Sequence, residues 1–431
     1  MKRRLIPLLG ALLALAPLCS LQAQEKKRLK LTLEEAQICA VENNRTLKNA
    51  SLDVQKSQAT RWKALASMLP QVNAQADYSD FLGYKLNLGG MSIPMNPSGT
   101  LAVTASITLS GAQVVATQIS QIAAKMSDIT QRQSEQQIKD QVRTLYYSAL
   151  VMDETVRLLE ENLNNLQSLY AYTEASVKAG ISEQTDADQL LVQLASMQTS
   201  ISSSRRSMEM VYNSLLLQLG LDIDTEIVLT QSLDDLLNTQ TAAELLSREF
   251  NLDNNYNWQL MQESLKLSKK QVRSAQWSYG PTISAFYQYS AKTYFGKSEG
   301  FNTTPPNMVG ASVSLPIFSS LSRLKAVKEA KIDYEKQLNS LADTENALKV
   351  QHRQLCYNLN TAFETFNTQK QNIDVTQRVF KNISNKYEVG AASSLDLTNA
   401  GTNLIAAQSS YVQALMELVN AQIALEELLN E

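Results

Sequence analysis

Two isolated glycines, Gly180 and Gly390, interrupt two long stretches of heptad pattern in the chain. The sequence from Val177 to Asp186 aligns with the sequence that contains Gly390 and ends at Asp396. In both copies the glycine precedes the aspartate by six residues. The offset between the two copies, 210 residues, is about half of the 431-residue chain. A period of that length indicates a tandem duplication rather than a short solenoid repeat. We therefore expect two similar halves related by pseudo-symmetry.

A coiled-coil seam leads up to the first glycine and recurs in the second half. Apolar residues before Gly180 step alternately by four and three, which is the a/d spacing of a coiled coil. Seven of the ten positions that lie 210 residues later are also apolar. Each half is therefore predicted to hold a helical hairpin that turns at its glycine. The first seam consists of Ile138, Val142, Leu145, Ala149, Met152, Val156, Leu159, Leu163, Leu166 and Tyr170.

The absence of proline sets the length of these helices. No proline lies between Pro97 and Pro281, and none follows Pro316. A helix over about residues 112–178 would be roughly 100 Å long at ~1.5 Å per residue. Such a rod is longer than most domains, so we expect the coiled coil to project from whatever anchors the chain.

The first 23 residues have the pattern of a secretory signal. A basic start at Lys2-Arg3-Arg4 precedes an apolar stretch, and Leu21-Gln22-Ala23 is a plausible cleavage site. Cys19 raises the question of lipidation, although Pro17-Leu18 stand where small residues would be expected. The formal net charge of −3 becomes more negative without the basic start, which argues against a nucleic-acid partner.

Four short segments alternate between apolar and small or polar residues, which is typical of β-strands. They form one predicted hairpin in each half, at about 71–110 and 281–317, and the connectors 83–99 and 296–307 are expected to be loops. The apolar positions are Val72, Ala74, Ala76, Tyr78, Leu101, Val103, Ala105, Ile107, Leu109, Ile283, Ala285, Tyr287, Tyr289, Val309, Ala311, Val313 and Leu315.

Alternation alone more often indicates a half-buried strand of a soluble sheet. Here the hairpins lie between long helices, at matching positions in each half, and no later segment has the 18 apolar residues of a membrane-spanning helix. An open four-stranded sheet cannot sit in lipid, because its edges would lack hydrogen-bond partners. If these strands cross a membrane, several chains must close one barrel, with eight strands from two chains or twelve from three.

Four short motifs resemble the TolC family of outer-membrane channel-tunnels. They are Leu31-Thr32-Leu33-Glu34-Glu35-Ala36, Leu69-Pro70, Ser314-Leu315-Pro316-Ile317-Phe318, and Lys386-Tyr387-Glu388-Val389-Gly390 followed by Leu395-Asp396. The resemblance covers essentially the whole chain after the signal. Asn44-Arg45 departs from the Asn-Pro that many members carry at this point.

The resemblance implies a mainly α fold with a membrane β-barrel: long antiparallel helical hairpins plus two β-hairpins per chain, in a homotrimer with a 12-stranded barrel and a periplasmic α-helical tunnel. The expected organisation is a signal peptide at 1–23, a first repeat at 24–220 with its helical hairpin at 112–220, an equatorial segment at 221–249, and a second repeat at 250–431 with its helical hairpin at 320–428.

The expected function is a passive exit duct, in the outer membrane, of a tripartite efflux pump of the RND type or similar that exports small molecules. The implied partners are two more copies of the chain, a periplasmic adaptor protein, an inner-membrane pump and outer-membrane lipid. Two alternatives stay open: a component of a type I protein secretion system, and an exported structural coiled coil. A structural coiled coil has no need for paired amphipathic hairpins, and the cargo is not readable from the sequence.

Two sets of candidate site residues follow. The turns are the expected adaptor docking site, because two turns per chain give six in a trimer, matching a six-fold partner: Val177, Gly180, Ile181, Val389, Gly390 and Ala391. The resemblance places carboxylates of an aperture gate just beyond them: Asp186, Asp188, Asp396 and Asn399. An amide stands at Asn399 where the family has a second carboxylate. The alternative role for these residues is stabilisation of helix starts through the helix dipole.

No enzyme chemistry is expected. His352 is the one histidine of the chain, and no nucleophile motif or Gly-rich phosphate loop accompanies it. A zinc site would need more His and Cys ligands than the chain has. We therefore expect no catalytic residue, no metal and no cofactor.

Overall fold

The computed structural model describes residues 28–233, 244–295 and 305–430. The predicted signal peptide with Cys19 lies outside the described residues, as does the middle of the predicted equatorial segment. In the first half the elements are β1 (Arg28–Leu31), α1 (Leu33–Asn43), α2 (Arg45–Ala66), β2 (Gln71–Ser79), β3 (Lys85–Leu88), β4 (Met91–Pro94), β5 (Ser98–Ser110), α3 (Gly111–Lys178) and α4 (Gln184–Leu219).

The second half repeats this order. Its elements are β6 (Glu226–Leu229), a short 3-10 helix (Leu252–Asn254), α5 (Tyr256–Trp277), β7 (Thr282–Tyr294), β8 (Asn307–Ser314), α6 (Ser322–Glu388) and α7 (Ser394–Leu429). The predicted fold class is confirmed, since each half holds a helix, a β-hairpin and a long helical hairpin. None of the helices in the described ranges combines the length and the hydrophobicity needed to cross a bilayer.

The predicted coiled-coil seam packs in both hairpins, over residues 138–170 of α3 and 348–380 of α6. All ten seam positions before Gly180, and all ten that lie 210 residues later, are buried or half-buried. Val142 of α3 and Leu359 of α6 are fully buried. Apolar burial of about 25 cal/mol per Å² along the seam holds each long helix to its returning partner.

The two halves are joined side by side along α3 and α7. Arg143 of α3 forms an ion pair with Glu426 of α7. Further along, the Asn162 Nδ2 donates to the Gln408 Oε1 at 2.6 Å. Tyr147 of α3 packs with Val419 and Ile423 of α7. Apolar contact and polar pairing therefore fix the two repeats to each other.

The strands form one main sheet and two small ones. Four antiparallel strands lie in the order β2-β5-β7-β8, so the first hairpin is joined to the second through β5 and β7. β1 pairs with β6 in parallel, which ties the start of the first half to the start of the second.

The prediction that residues 83–99 form a loop is wrong in one respect. This segment contains the hairpin of β3 and β4. Gly89 and Gly90 both have positive φ, as a two-residue hairpin turn requires. Proline and glycine in this segment favoured a loop, yet Pro94 lies at the end of a strand that pairs on one side only, where the missing N–H costs little.

A buried asparagine fixes the same joint in each half. Asn44 begins α2: its Oδ1 accepts from the N–H groups of Thr46 and Leu47, and its Nδ2 donates to the Gln218 carbonyl at 2.9 Å. In the second half, Asn255 begins α5 in the same way and donates to the Leu428 carbonyl at 3.2 Å. Each asparagine is 5 % exposed. The side chain thus caps one helix and ties it to the end of the returning hairpin helix.

Replacing Asn44 tests this joint. Asn44→Ala removes the cap and the bond to Gln218, so we expect a loss of roughly 1–3 kcal/mol in unfolding free energy. The matched control is Arg45→Pro, because the first helical position tolerates proline and the Asn44 ψ of 127° suits a residue before proline. Circular dichroism during urea unfolding of the purified protein measures both. Equal stability of Asn44→Ala and the unmodified chain would contradict the role of the joint.

Candidate functional site

The first candidate docking turn closes the hairpin between α3 and α4. Ala179 caps the end of α3, and Gly180 follows with φ of +74°. The Ile181 N–H donates to the Ser176 carbonyl at 2.9 Å, and the Gly180 N–H donates to the Val177 carbonyl at 2.9 Å. These two bonds form a Schellman motif, which needs a left-handed residue at this position and so favours glycine.

The second turn, between α6 and α7, repeats this geometry. Gly390 follows Val389 with φ of +72°. The Ala391 N–H donates to the Lys386 carbonyl at 2.7 Å, and the Gly390 N–H donates to the Tyr387 carbonyl at 3.0 Å. The two turns are therefore equivalent in their backbone hydrogen bonds.

Both turns are exposed and sterically open. Ile181 is 80 % exposed and Val389 is 77 % exposed, which leaves one large apolar side chain in contact with solvent at each turn. A Cβ placed on Gly180 or Gly390 would meet no atom of the described residues within 4 Å. The space beside each glycine is therefore free to receive a partner.

Tyrosine hydroxyl groups form hydrogen bonds between the helix ends that precede the two turns. The Tyr172 hydroxyl donates to the Glu388 carbonyl at 2.7 Å, and the hydroxyls of Thr173 and Tyr387 are hydrogen-bonded at 2.8 Å. Tyr387 is buried against Leu169 of α3 and Leu397 of α7. The ends of α3 and α6 thus form one unit.

The carboxylates beyond the turns differ between the halves. Asp396 closes a capping box with Ser393, whose N–H and hydroxyl both donate to the carboxylate, and the Asp396 N–H donates back to the Ser393 hydroxyl. These bonds from Ser393 hold the pKa of Asp396 below its ordinary value. In the first half, Glu183 occupies the position that Ser393 has in the second half, and its side chain makes no capping hydrogen bond.

Asp186 instead connects the two repeats. Its carboxylate accepts a hydrogen bond from the Ser394 hydroxyl at the start of α7. Asp188 accepts from Gln184 of its own helix at 2.9 Å and is exposed, as is Asn399. Of the four gate candidates, the structure thus places Asp186 at the junction of α4 and α7, while Asp396 serves the start of its own helix.

Sequence reasoning missed the side chains that join the turns. Ser394 carried no signal, because its partner Asp186 lies 208 residues away. Thr173 continues the four-three spacing of the seam, but as a polar residue it was not counted in it, and Tyr172 lies beside the seam. Tyr387 stood in one of the motifs that resemble the channel-tunnel family, but the sequence did not indicate that it would be buried.

At the other end of α3 and α6, the main sheet has one apolar and one polar face. The register aligns Val72, Ala105, Tyr287 and Val309 across the four strands. One step along, it aligns Asn73, Thr104, Gln288 and Met308 on the opposite face. Large apolar side chains of the first face are exposed, among them Val72, Tyr78, Leu101, Leu109, Ile283, Tyr287, Tyr289, Val309 and Val313.

The histidine takes part in packing. The His352 ring stacks on Phe250 with centroids 4.9 Å apart, and its Nε2 lies 3.6 Å from the Cys356 Sγ. Burial lowers the pKa of His352 and raises the pKa of the Cys356 thiol. Within the described residues, no group of three or more His, Cys, Asp or Glu side chains is placed to hold a metal ion.

The chain combines a sheet that has an exposed apolar face with two helices of 68 and 67 residues, each of which packs against a returning helix. The model of the family "Outer membrane efflux protein" matches residues 39–221 and 251–431. The chain belongs to this family of outer-membrane efflux proteins. A search of curated proteins finds no match.

Solved structures with the same fold are similar over nearly the whole chain. CusC is 19% identical with a TM-score of 0.76, covering 92% of this chain and 91% of its own. VceC from Vibrio cholerae is 17% identical with a TM-score of 0.74, covering 92% and 95%. The MtrE outer membrane channel of Neisseria gonorrhoeae, in its open state, is 15% identical with a TM-score of 0.76, covering 92% and 88%. These likenesses support the fold.

The two sheet faces predict opposite reactivity in the outer membrane. Cysteines at Ala76, Ala105, Ala285 and Ala311 would lie on the apolar face, and cysteines at Asn73 and Thr104 on the polar face. Each cysteine is introduced singly in a chain in which Cys39 and Cys356 are replaced by alanine. The cysteines on the apolar face should not react with an aqueous thiol reagent, and the cysteines on the polar face should react. Labelling in intact membranes, followed by mass spectrometry, measures this. Equal labelling on both faces would show that lipid does not cover the apolar face.

Proposed function

We propose that three copies of this chain close their sheets into one twelve-stranded barrel and join their helices into a tunnel that serves as the passive exit duct of a tripartite efflux pump. The proposal is based on the main sheet. Its apolar face is exposed, and its outer strands, β2 and β8, each pair with a single strand within the described chain. Unpaired strand edges are not stable in lipid, so other copies must supply the missing hydrogen bonds. Twelve strands leave a wider lumen than eight.

The helices support the same assembly. α4 carries exposed apolar side chains at Val192, Met210 and Leu217, each 70 or 71 % exposed. α6 carries Val350 and Tyr357, which are 65 % and 69 % exposed. Neighbouring copies would cover these side chains in a closed ring. Exposed apolar surface of this extent on a coiled coil favours association.

The adaptor protein of the pump would dock on the two turns. In a trimer the equivalent Schellman turns at Gly180 and Gly390 give six similar sites, and each offers an exposed apolar side chain beside open space. A periplasmic adaptor with six-fold symmetry fits this number. The inner-membrane pump would then deliver small molecules into the tunnel through the adaptor.

Deletion of the gene, with complementation by the unmodified chain, tests the exit-duct proposal. We expect sensitivity to small toxic compounds to rise and complementation to restore resistance. Unchanged resistance together with the loss of a secreted protein from the medium would instead support a type I secretion role. Unchanged resistance and unchanged secretion would contradict both roles.

Bulky side chains at the turns test adaptor docking. Gly180→Trp and Gly390→Trp should each abolish complementation of resistance while the amount of trimer in the membrane stays the same. Gly390→Ala adds the strain of a left-handed alanine, roughly 1–2 kcal/mol, without the bulk and should keep most resistance. Gly83→Trp is the matched control, because Gly83 also has positive φ and open space but lies in the β2–β3 connection. Full resistance in both tryptophan variants would exclude docking at the turns.

The carboxylates beyond the turns are proposed to form the aperture gate. The Asp186–Ser394 bond ties the start of α4 to the start of α7, and three copies would place three Asp396 carboxylates around the axis. A ring of like charges binds cations and selects what passes. The hydrogen bonds from Ser393 lower the pKa of Asp396 and so favour the charged form that such a ring requires.

Planar-bilayer recordings test the gate. Asp396→Asn should weaken block of the channel by divalent and trivalent cations. Ser393→Ala removes the capping hydroxyl but keeps the carboxylate, so block should persist. Ser394→Ala should raise the open fraction, because it removes the bond to Asp186. Unchanged conductance and unchanged block in the Asp186→Asn, Asp396→Asn double variant would place the gate elsewhere.

A further inference from the structure

The connection from strand to helix differs between the two repeats. In the first half, β5 ends at Ser110 and α3 begins at the next residue with a capping box between Ser110 and Gln113. In the second half, seven residues, 315–321, separate β8 from α6. Two of them are almost fully exposed: Ile317 at 94 % and Phe318 at 83 %. We name residues 315–321 the junction segment.

The backbone of the junction segment is held in an unfavourable conformation. Ser320 and Leu321 have φ of +49° and +66°, a region that residues other than glycine rarely adopt. Leu321 stands at the start of α6 without a side-chain cap. A strained, uncapped segment with two exposed large apolar side chains is costly in a free chain, so contacts outside this chain are expected to stabilise it.

The first repeat shows what surrounds such a junction. β5 runs from the loop end of the sheet towards its helix, between β2 and β7, which run the opposite way. On one side, Gln113 after β5 donates to the Ser67 carbonyl, which lies before β2, at 3.3 Å. On the other side, Gly111 lies so close to the Trp277 indole that a Cβ would not fit. Residues after a strand of this direction therefore contact residues before both neighbouring strands.

β8 runs in the same direction as β5 but has a neighbour, β7, on one side only within the described chain. In the proposed closed barrel, its other neighbour is β2 of the next chain, at a spacing of about 4.7–4.9 Å. By the pattern of the first repeat, the junction segment then meets the residues that precede this β2. Those residues are the end of α2 and the connection 67–70.

The end of α2 is complementary to the junction segment. It exposes Trp62 at 65 %, Leu65 at 38 % and Leu69 at 50 %. The apolar side chains of the junction segment thus lack a cover that the exposed apolar side chains at the α2 end of another copy would supply.

We propose that Ile317 and Phe318 of one chain pack against Leu65 and Leu69 of the next chain, with Trp62 at the edge of the contact. This interchain contact lies where the sheet meets the helices. The inference rests on the proposed trimer. It adds an apolar contact of Ile317 and Phe318 with Leu65 and Leu69 of the next chain, which we call the clasp, beside each of the three strand pairings between chains. The clasp explains why the second repeat has an inserted segment where the first has a direct connection.

Disulfide crosslinking tests the clasp. The variant carries Phe318→Cys and Leu69→Cys, with Cys39 and Cys356 replaced by alanine. Mild oxidation in the membrane should produce covalent dimers and trimers on a non-reducing gel. Phe318→Cys with Leu82→Cys is the matched control: Leu82 is 91 % exposed but lies beyond the far end of β2, so no covalent oligomer should form. Ile317→Cys with Leu65→Cys repeats the test independently.

Loss of the Phe318 side chain measures the strength of the contact. Burial of a phenylalanine favours each contact by roughly ten- to hundredfold, and Phe318→Ser loses the contact at all three pairings of the trimer. The Phe318→Ser trimer should therefore dissociate at a lower temperature in detergent than the unmodified trimer, and the Phe318→Leu trimer should fall between them. Heat-modifiable migration of the trimer gives the readout. A Phe318→Ser trimer of unchanged stability, without crosslinks in either cysteine pair, would overturn the clasp.

The outcomes separate this inference from the proposed function. An unmodified chain that never forms trimers would remove both. A second set of results would show that the junction segment contacts lipid instead. In that case the Phe318→Cys variant forms a normal trimer, and its thiol forms no disulfide with the partner cysteine. In addition, brominated lipid quenches a fluorophore attached to that thiol. That result would overturn the clasp and leave the exit duct intact.

Discussion

The structure depends on one constraint: helices of 67 and 68 residues, roughly 100 Å long, are stable only where other helices cover their apolar positions. The returning helices α4 and α7 cover the half near the turns, and α2 and α5 pack against the half near the sheet. The seam separates two chemically different regions. At one end of α3 and α6 the chain enters a sheet with an apolar face, and at the other it reverses through an exposed glycine turn. The apolar sheet face and the exposed turns, where we propose that the adaptor docks, thus lie at opposite ends of the same helices.

The duplication preserved backbone geometry more strictly than side-chain chemistry. The Schellman turns and the buried asparagines, Asn44 and Asn255, recur with the same hydrogen bonds in both halves. By contrast, Ser393 caps α7 whereas Glu183 does not cap α4. Features that fix where the chain reverses or joins are needed twice. Residues at the exposed starts of α4 and α7 are not needed for either purpose and differ between the repeats.

Local pattern predicted the seams, the turns and the alternating strands, since each depends on residues within a few positions of one another. The glycine spacing even placed both turns at equivalent positions. Contacts between distant residues were not predictable in this way. The Asp186–Ser394 and Tyr172–Glu388 bonds join residues more than 200 positions apart, and no local pattern marks either pair. The β3–β4 hairpin was also missed, because its glycines and prolines are equally typical of a loop.

The single-sided pairing of β2 and β8 has a consequence for how the protein reaches its final state. Among the described residues of a single chain, β2 and β8 each leave one strand edge unpaired, over nine and eight residues, beside exposed apolar side chains. Such edges are templates for indiscriminate pairing, and correct closure competes with aggregation from the moment the hairpins form. In the proposed trimer the sheet is completed only when copies meet, so the yield of folded sheet would depend on chain concentration and on whatever shields the edges during transit.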